Sequence, residues 1–224
     1  MQVKLTTLLH RVTWSEHQRT LTANRSVGTL QASLLWDTEA MRIAAVCLAT
    51  AVLFGVATHL VFLFGSPYWA TDKQIDNWLS RGMAWNTLTF SPIPKAGSTT
   101  VPLANPDAFS SRAIIDLKKG PQVLEGPFPP SCTYWSASVF AHNTDTALIM
   151  SDRDFPTGLV KIGIARSKAD IGENIDAIAV LDSDKAVLLL RCFMRDRTDK
   201  AYMATLTEER SKMRVRPALA KASS

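Results

Sequence analysis

The sequence predicts a mainly β protein with one transmembrane helix. The β part is expected to be an antiparallel β-sandwich or open barrel, preceded by a short N-terminal helix and followed by a C-terminal helix. Three observations predict this. One uncharged apolar run has the length of a bilayer span. Strand-length apolar segments then recur every 10–16 residues with turn signals between them. No helical pattern separates consecutive strands, which argues against a parallel α/β sheet. The expected organisation is a weakly structured tail over residues 1–40, a membrane anchor over 41–69, a helix and proline-rich connector over 70–110, and a β-rich domain with a C-terminal helix and basic tail over 111–224.

Composition sets outer bounds. The chain has 224 residues, 46% of them apolar, with 25 Lys+Arg against 20 Asp+Glu. These values suit an ordinary globular domain with an added segment and exclude collagenous, coiled-coil and largely disordered chains. Three cysteines are too few for a disulfide scaffold of this length. The pI near 9.2 comes from a net charge of only +5, too little to point to a nucleic acid partner.

The apolar run is Ile43–Phe64, 22 residues without Asp, Glu, Lys or Arg. A hydrocarbon core about 30 Å thick needs roughly 20 helical residues. Backbone N–H groups have no water partner in lipid, so the run should be helical. Thr50 and Thr58 can bond back to a carbonyl one turn earlier, and His59 lies near the end. Tyr68 and Trp69 flank the exit as interfacial aromatics do. Gly65, Ser66 and Pro67 are expected to stop the helix. The run is longer than a secretory h-region, and bulky His59–Phe62 fill the place of a small-residue cleavage site, so an uncleaved anchor is expected. Basic residues within reach of the two ends tie: Arg25 and Arg42 before, Lys73 and Arg81 after. Arg42 abuts the run and favours an N-inside orientation. That would place the C-terminal domain in the periplasm, on the outer side of a bacterial inner membrane.

Beyond the anchor, Thr71 or Asp72 can cap a short helix whose Ile75, Trp78 and Leu79 share a face, with Gly82 ending it. Ser91–Pro106 carries four prolines and is expected to be a connector. The predicted strands are Arg112–Leu117, Gln122–Glu125, Thr133–Ala141, Ala147–Met150, Leu159–Ile164, Ile175–Leu181 and Val187–Met194. In Thr133–Ala141, Trp135, Ala137 and Val139 share one face, and Tyr134, Ser136, Ser138 and Phe140 the other. A helix is expected over about Lys200–Met213, with Met203, Leu206 and Met213 near one face, and then a basic tail.

Several short motifs are recognisable. Asp116-Leu117-Lys118-Lys119-Gly120-Pro121, then Tyr134-Trp135-Ser136, then Asn143-Thr144-Asp145, resemble the short membrane-anchored members of the bacterial domain-of-unknown-function family 1254. Leu188-Leu189-Leu190-Arg191 resembles their final apolar strand with its internal arginine. The resemblance covers roughly Met41 to Pro217. It implies an envelope protein with a β-rich domain and no established activity. Family members often carry a glycine before the last strand, where this chain has Lys185-Ala186.

Candidate binding residues are Tyr134, Trp135, Ser136, Asn143 and Asp145. Tyr and Trp can stack on a sugar or peptide while Asn and Asp hold its polar groups. Alternatively, Trp135 fills the core and Asn143 and Asp145 bond their own turn. Asp152-Arg153-Asp154 reads as an ion-pair network at a cleft or a solvated loop. Arg191 interrupts an apolar strand and needs either a carboxylate, with Asp116 or Asp152 the candidates, an anionic ligand, or a wet face. Cys132 and Cys192 can pair after export or remain separate thiols. Lys212, Arg214, Arg216 and Lys221 form an acid-free basic series suited to anionic lipid or simply to solvent.

No catalytic residue stands out. A Gly-x-Ser-x-Gly elbow, a phosphate loop, His-Glu-x-x-His and Cys-x-x-Cys are all missing from the sequence, and His142 is the one histidine beyond the anchor. No metal or cofactor is expected. Three functions remain open. The first is a tethered binding or assembly domain for an envelope protein or carbohydrate, with the bilayer held through residues 43–64. The second is an envelope hydrolase acting on a carbohydrate-like ligand, which requires two converging acids. The third is an accessory subunit of a membrane complex packed through Gly55 and the small faces of the anchor.

Overall fold

The computed structural model describes the backbone of residues 3–92, 105, 107–155 and 158–219, with side chains from residue 38 onward. The chain forms two units, residues 1–62 and residues 63–224. One helix, α1 (Val3–Ser80), contributes to both. The first 40 residues, expected to be weakly structured, therefore carry helical backbone from Val3. They contain no proline and a single glycine, Gly28, so nothing in the backbone breaks the helix.

Pro67 lies inside α1 and does not stop it. A proline removes one hydrogen bond and crowds one carbonyl, which kinks or weakens a helix but ends it only when nothing holds the next turn. Here the next turns are held. Thr71 and Ile75 are buried, and Trp78 and Leu79 are half-buried on the same face. The helix expected from Thr71 is thus the end of α1. It finishes at Gly82, where φ is +88° and Gly82 N–H donates to Leu79 while Met83 N–H donates to Trp78. That pair of bonds is a Schellman cap, which favours glycine.

Among the described residues, nine strands follow. β1 (Thr89–Phe90), β2 (Ala108–Asp116), β4 (Tyr134–Ala141), β5 (Thr146–Ser151) and β8 (Lys185–Phe193) form one antiparallel sheet in the order β1-β2-β8-β4-β5. β3 (Gln122–Pro127), β6 (Leu159–Ala165), β7 (Ala177–Val180) and β9 (Arg214–Pro217) form the second, in the order β7-β6-β3-β9. β7 runs parallel to β6, an exception to the antiparallel expectation. Helix α2 (Lys200–Ser211) precedes β9.

The alternation predicted for the strands places the core. Ala186, Leu188, Leu190 and Cys192 of β8 are buried, and Trp135, Ala137 and Val139 of β4 lie on the same side. They join Leu124, Val160, Ile162 and Ile164 of the other sheet in one apolar cluster. The two sheets thus share a core between them and, among the described residues, do not close into a barrel. The last turns of α1 cover the outer face of the five-stranded sheet, where the Arg112 guanidinium stacks 5.2 Å from the Trp78 ring centre. Most of the proline-rich connector lies outside the described residues.

Candidate functional site

The residues proposed from sequence separate into three places. Trp135 is 1% exposed, with Phe155 edge-on at 5.9 Å and Phe128 at 6.5 Å. It is a core residue. Tyr134 points to the opposite face of β4 and packs edge-on against its cross-strand partner Phe193 at 5.7 Å. Ser136 is buried beside Arg191 in the cross-strand register. Asn143 and Asp145 lie at the far end of β4, where Asn143 Nδ2 donates to Asp145 and Asp145 N–H donates to Asn143 Oδ1. They tie their own turn, roughly 23 Å along the strand from Tyr134. The structure does not bring the five residues together.

Arg191 is exposed and has no carboxylate partner among the described residues. Ser110 and Ser136 flank it on the neighbouring strands. Its β8 neighbours Leu190 and Cys192 face the core, so alternation turns Arg191 outward. Asp116 pairs in register with Lys185 at the other end of β8, and its carboxylate accepts from Lys118 N–H. Asp154 accepts from Ser151, and one oxygen of Asp152 is buried without a partner, so the 152–154 segment is a tied turn and supplies nothing to Arg191. The Cys132 and Cys192 sulfurs are bonded, and Cys47 is the free thiol.

The basic series is also not a free tail. Arg214 and Arg216 lie in β9, beside β3. Arg214 donates to Glu125, and Arg216 donates to both Glu125 and Glu173. Hydrogen bonds from Arg216 hold the Glu173 carboxyl down to about 2 against the opposing effect of burial, helped by the N–H of Leu219. Burial raises the Glu125 carboxyl, but the bonds from Arg214 and Arg216 outweigh it and leave it lowered. These acids converge on one arginine and both stay ionised, so neither offers the proton that a glycosidase acid must hold. Lys221 lies outside the described residues.

Two arrangements were not visible from motifs. The first joins α1 to the sheet. Asp72 Oδ1 lies 2.8 Å from His142 Nε2 and accepts from Lys185 Nζ at 2.6 Å, while the Tyr68 ring meets the His142 ring edge-on at 5.1 Å. The Lys185 bond lowers the Asp72 carboxyl, with burial opposing and His142 assisting. This is a polar clasp, partly exposed.

The second is a small cleft at one end of the core. Phe90, Phe109, Ser111, Pro129, Trp135, Leu190, Cys192, Met213 and Arg210 line it, together with the β8 strand at Arg191. Its enclosed volume is about 10 Å³, room for roughly one water. Arg210 is 8% exposed. It occupies the buried face of α2 with Met203 and Leu206, a position where an apolar side chain would ordinarily sit. Its guanidinium lies 4.1 Å from the Phe109 ring centre and 5.3 Å from that of Phe90. One nitrogen, Nη2, donates to the Ser91 carbonyl. Nε and Nη1 are buried without a partner. The adjacent acid, Glu209, is engaged by the Ser131 hydroxyl and N–H and does not serve as counter-charge. Desolvation alone pushes Arg210 down to about 10, so the group stays cationic at neutral pH. The Met203–Leu206 spacing that predicts the helix face also includes position 210, and that was the available signal.

Known proteins add fold and family. The VPA0106 protein of Vibrio parahaemolyticus has a similar structure, with a TM-score of 0.53 and 16% identity; the match covers 70% of this chain and 36% of that one. The chain described here thus spans about a third of that protein's length. An uncharacterised protein from Burkholderia cenocepacia gives a TM-score of 0.42 and 15% identity, over 73% of this chain and 42% of that one. No curated protein matches. Residues 85–217 match the family described as protein of unknown function (DUF1254), which takes in every residue lining the cleft and leaves the apolar run outside. The resemblance carried by the Tyr134-Trp135-Ser136 and Asn143-Thr144-Asp145 motifs therefore holds for the β-rich part, and this chain belongs to the DUF1254 family.

Proposed function

We propose that the chain is a membrane-tethered binding module that presents its β-rich domain on the outer side of a bacterial inner membrane. One observation carries this. Along α1, Leu53 is 72% exposed, Phe54 74%, Val61 75% and Phe64 69%, with no polar face between them. A helix apolar all round needs lipid or protein about it, and α1 is long and apolar enough to cross a membrane. Thr71 and Ile75, a few residues further along the same helix, belong to the packed β unit. The Cys132–Cys192 bridge favours an oxidising compartment, which supports export. Binding is favoured over hydrolysis because the acids that meet are held ionised by arginine.

The test is fractionation with a topology reporter. The full chain is expected to stay in the membrane pellet through an alkaline carbonate wash, and a phosphatase fused after Ser224 is expected to be active. Release by carbonate would overturn the tether. Activity only from a cytoplasmic reporter would reverse the orientation.

A further inference from the structure

We infer that the cleft at Arg210 is a carboxylate-binding site, taking one oxygen of a carboxylate-bearing ligand whose remainder lies outside the protein. The inference goes beyond the tethered-module function and does not depend on the membrane.

A buried guanidinium is costly unless its donors and its charge are met. Arg210 has neither condition satisfied by the described residues. Two ring faces soften the cost through cation–π contact, and one carbonyl takes one donor. The unpartnered Nε and Nη1 remain, and the side chain lines the cleft. The nearest acid along α2 is already spent on Ser131.

The shape of the cleft selects among anions. Its volume admits one oxygen-sized atom, not an enclosed small molecule. Its walls are mostly aromatic and aliphatic, and among the described residues Ser111 supplies the one side-chain hydroxyl. A phosphate dianion would bring two negative charges to the single buried guanidinium of Arg210. A carboxylate brings one negative charge to one positive charge, can place a single oxygen at the guanidinium, and forms a charge-assisted bond there.

The experiment uses the full chain in detergent, with acetate as the carboxylate probe. Thermal melts are recorded in sodium acetate, in sodium phosphate and in sodium chloride at equal ionic strength. Acetate at about tenfold its dissociation constant is expected to raise Tm by about 3 °C above the chloride value. Arg210→Met is expected to lose this increment, and Arg153→Met, an exposed arginine of the 152–154 turn outside the cleft lining, to keep it. Should Arg210→Met fail to fold, saturation-transfer NMR of acetate on the wild-type protein replaces it. A signal that an excess of formate displaces and chloride does not is expected. Equal responses to acetate and chloride, an increment retained in Arg210→Met, a response to phosphate alone, or no transfer signal would each overturn the inference, the last leaving a single water as the occupant.

Discussion

Glu173 and Arg216 show how a single pair governs acid stability. The Glu173 side chain is 10% exposed, and its carboxyl falls from an ordinary 4.5 to about 2 because Arg216 donates to both its oxygens. A lowered folded-state value means stability that is complete above pH 4.5 and drains away as pH falls toward 2. Glu173→Gln is therefore expected to lower stability by about 2 kcal/mol at pH 7. The gap should close as wild type is titrated toward pH 2, which melts across that range would reveal; a gap independent of pH would refute the ionic account. Arg214 and Arg216 are plainly basic in the sequence, but the acids that pair with them stand about 40 and 90 positions away. Arg191 drew attention for the opposite reason: it breaks an apolar string, yet strand alternation gives it an outward place between two serines. Arg210 attracted none, because an arginine on a helix looks like an ordinary solvated residue unless the face is counted through to it.

The strands were legible because β-rich segments with alternating burial announce themselves. Seven were anticipated within a residue or two at most ends, with β2 beginning earlier than expected. The two that were missed, β1 and β9, are short and carry their own excuse. Thr89–Phe90 is a two-residue edge, and Arg214–Pro217 hides its pairing behind two arginines. Pro67 misled because local propensity was asked to decide a matter that the packing of Thr71 and Ile75 decides. One connection has a sharp steric requirement. Gly126 has φ +141°, and a Cβ there would lie 2.8 Å from the Lys212 carbonyl oxygen and 2.9 Å from Met213 Cα. Both are backbone atoms, so neither can swing aside. Gly126→Ala should cost about 3 kcal/mol by strain and by pushing the α2–β9 corner off β3. A melting temperature equal to wild type would show that the corner is loose.

At the level of the full chain, the bond between Cys132 and Cys192 closes a loop with a sequence separation of 60. Constraining a loop of that size in the unfolded state contributes roughly 4 kcal/mol on the chain-entropy account. Reduction, or Cys132→Ala with Cys192→Ala, should lower Tm by about 10 °C. Alkylation of the denatured, unreduced protein should label one cysteine of three, Cys47; three labels would show that the bond does not form.

That ring has a consequence for damage. β4, β5, β6 and β7 lie wholly within it, and β8 closes it, while β1, β2, β3 and β9 lie outside. Each sheet is therefore assembled partly from the ring and partly from the flanking chain. A protease that nicks any turn between the two cysteines severs the polypeptide without releasing a piece. The clipped molecule would run at full mass on a gel until a reductant is added, and only then fall into two.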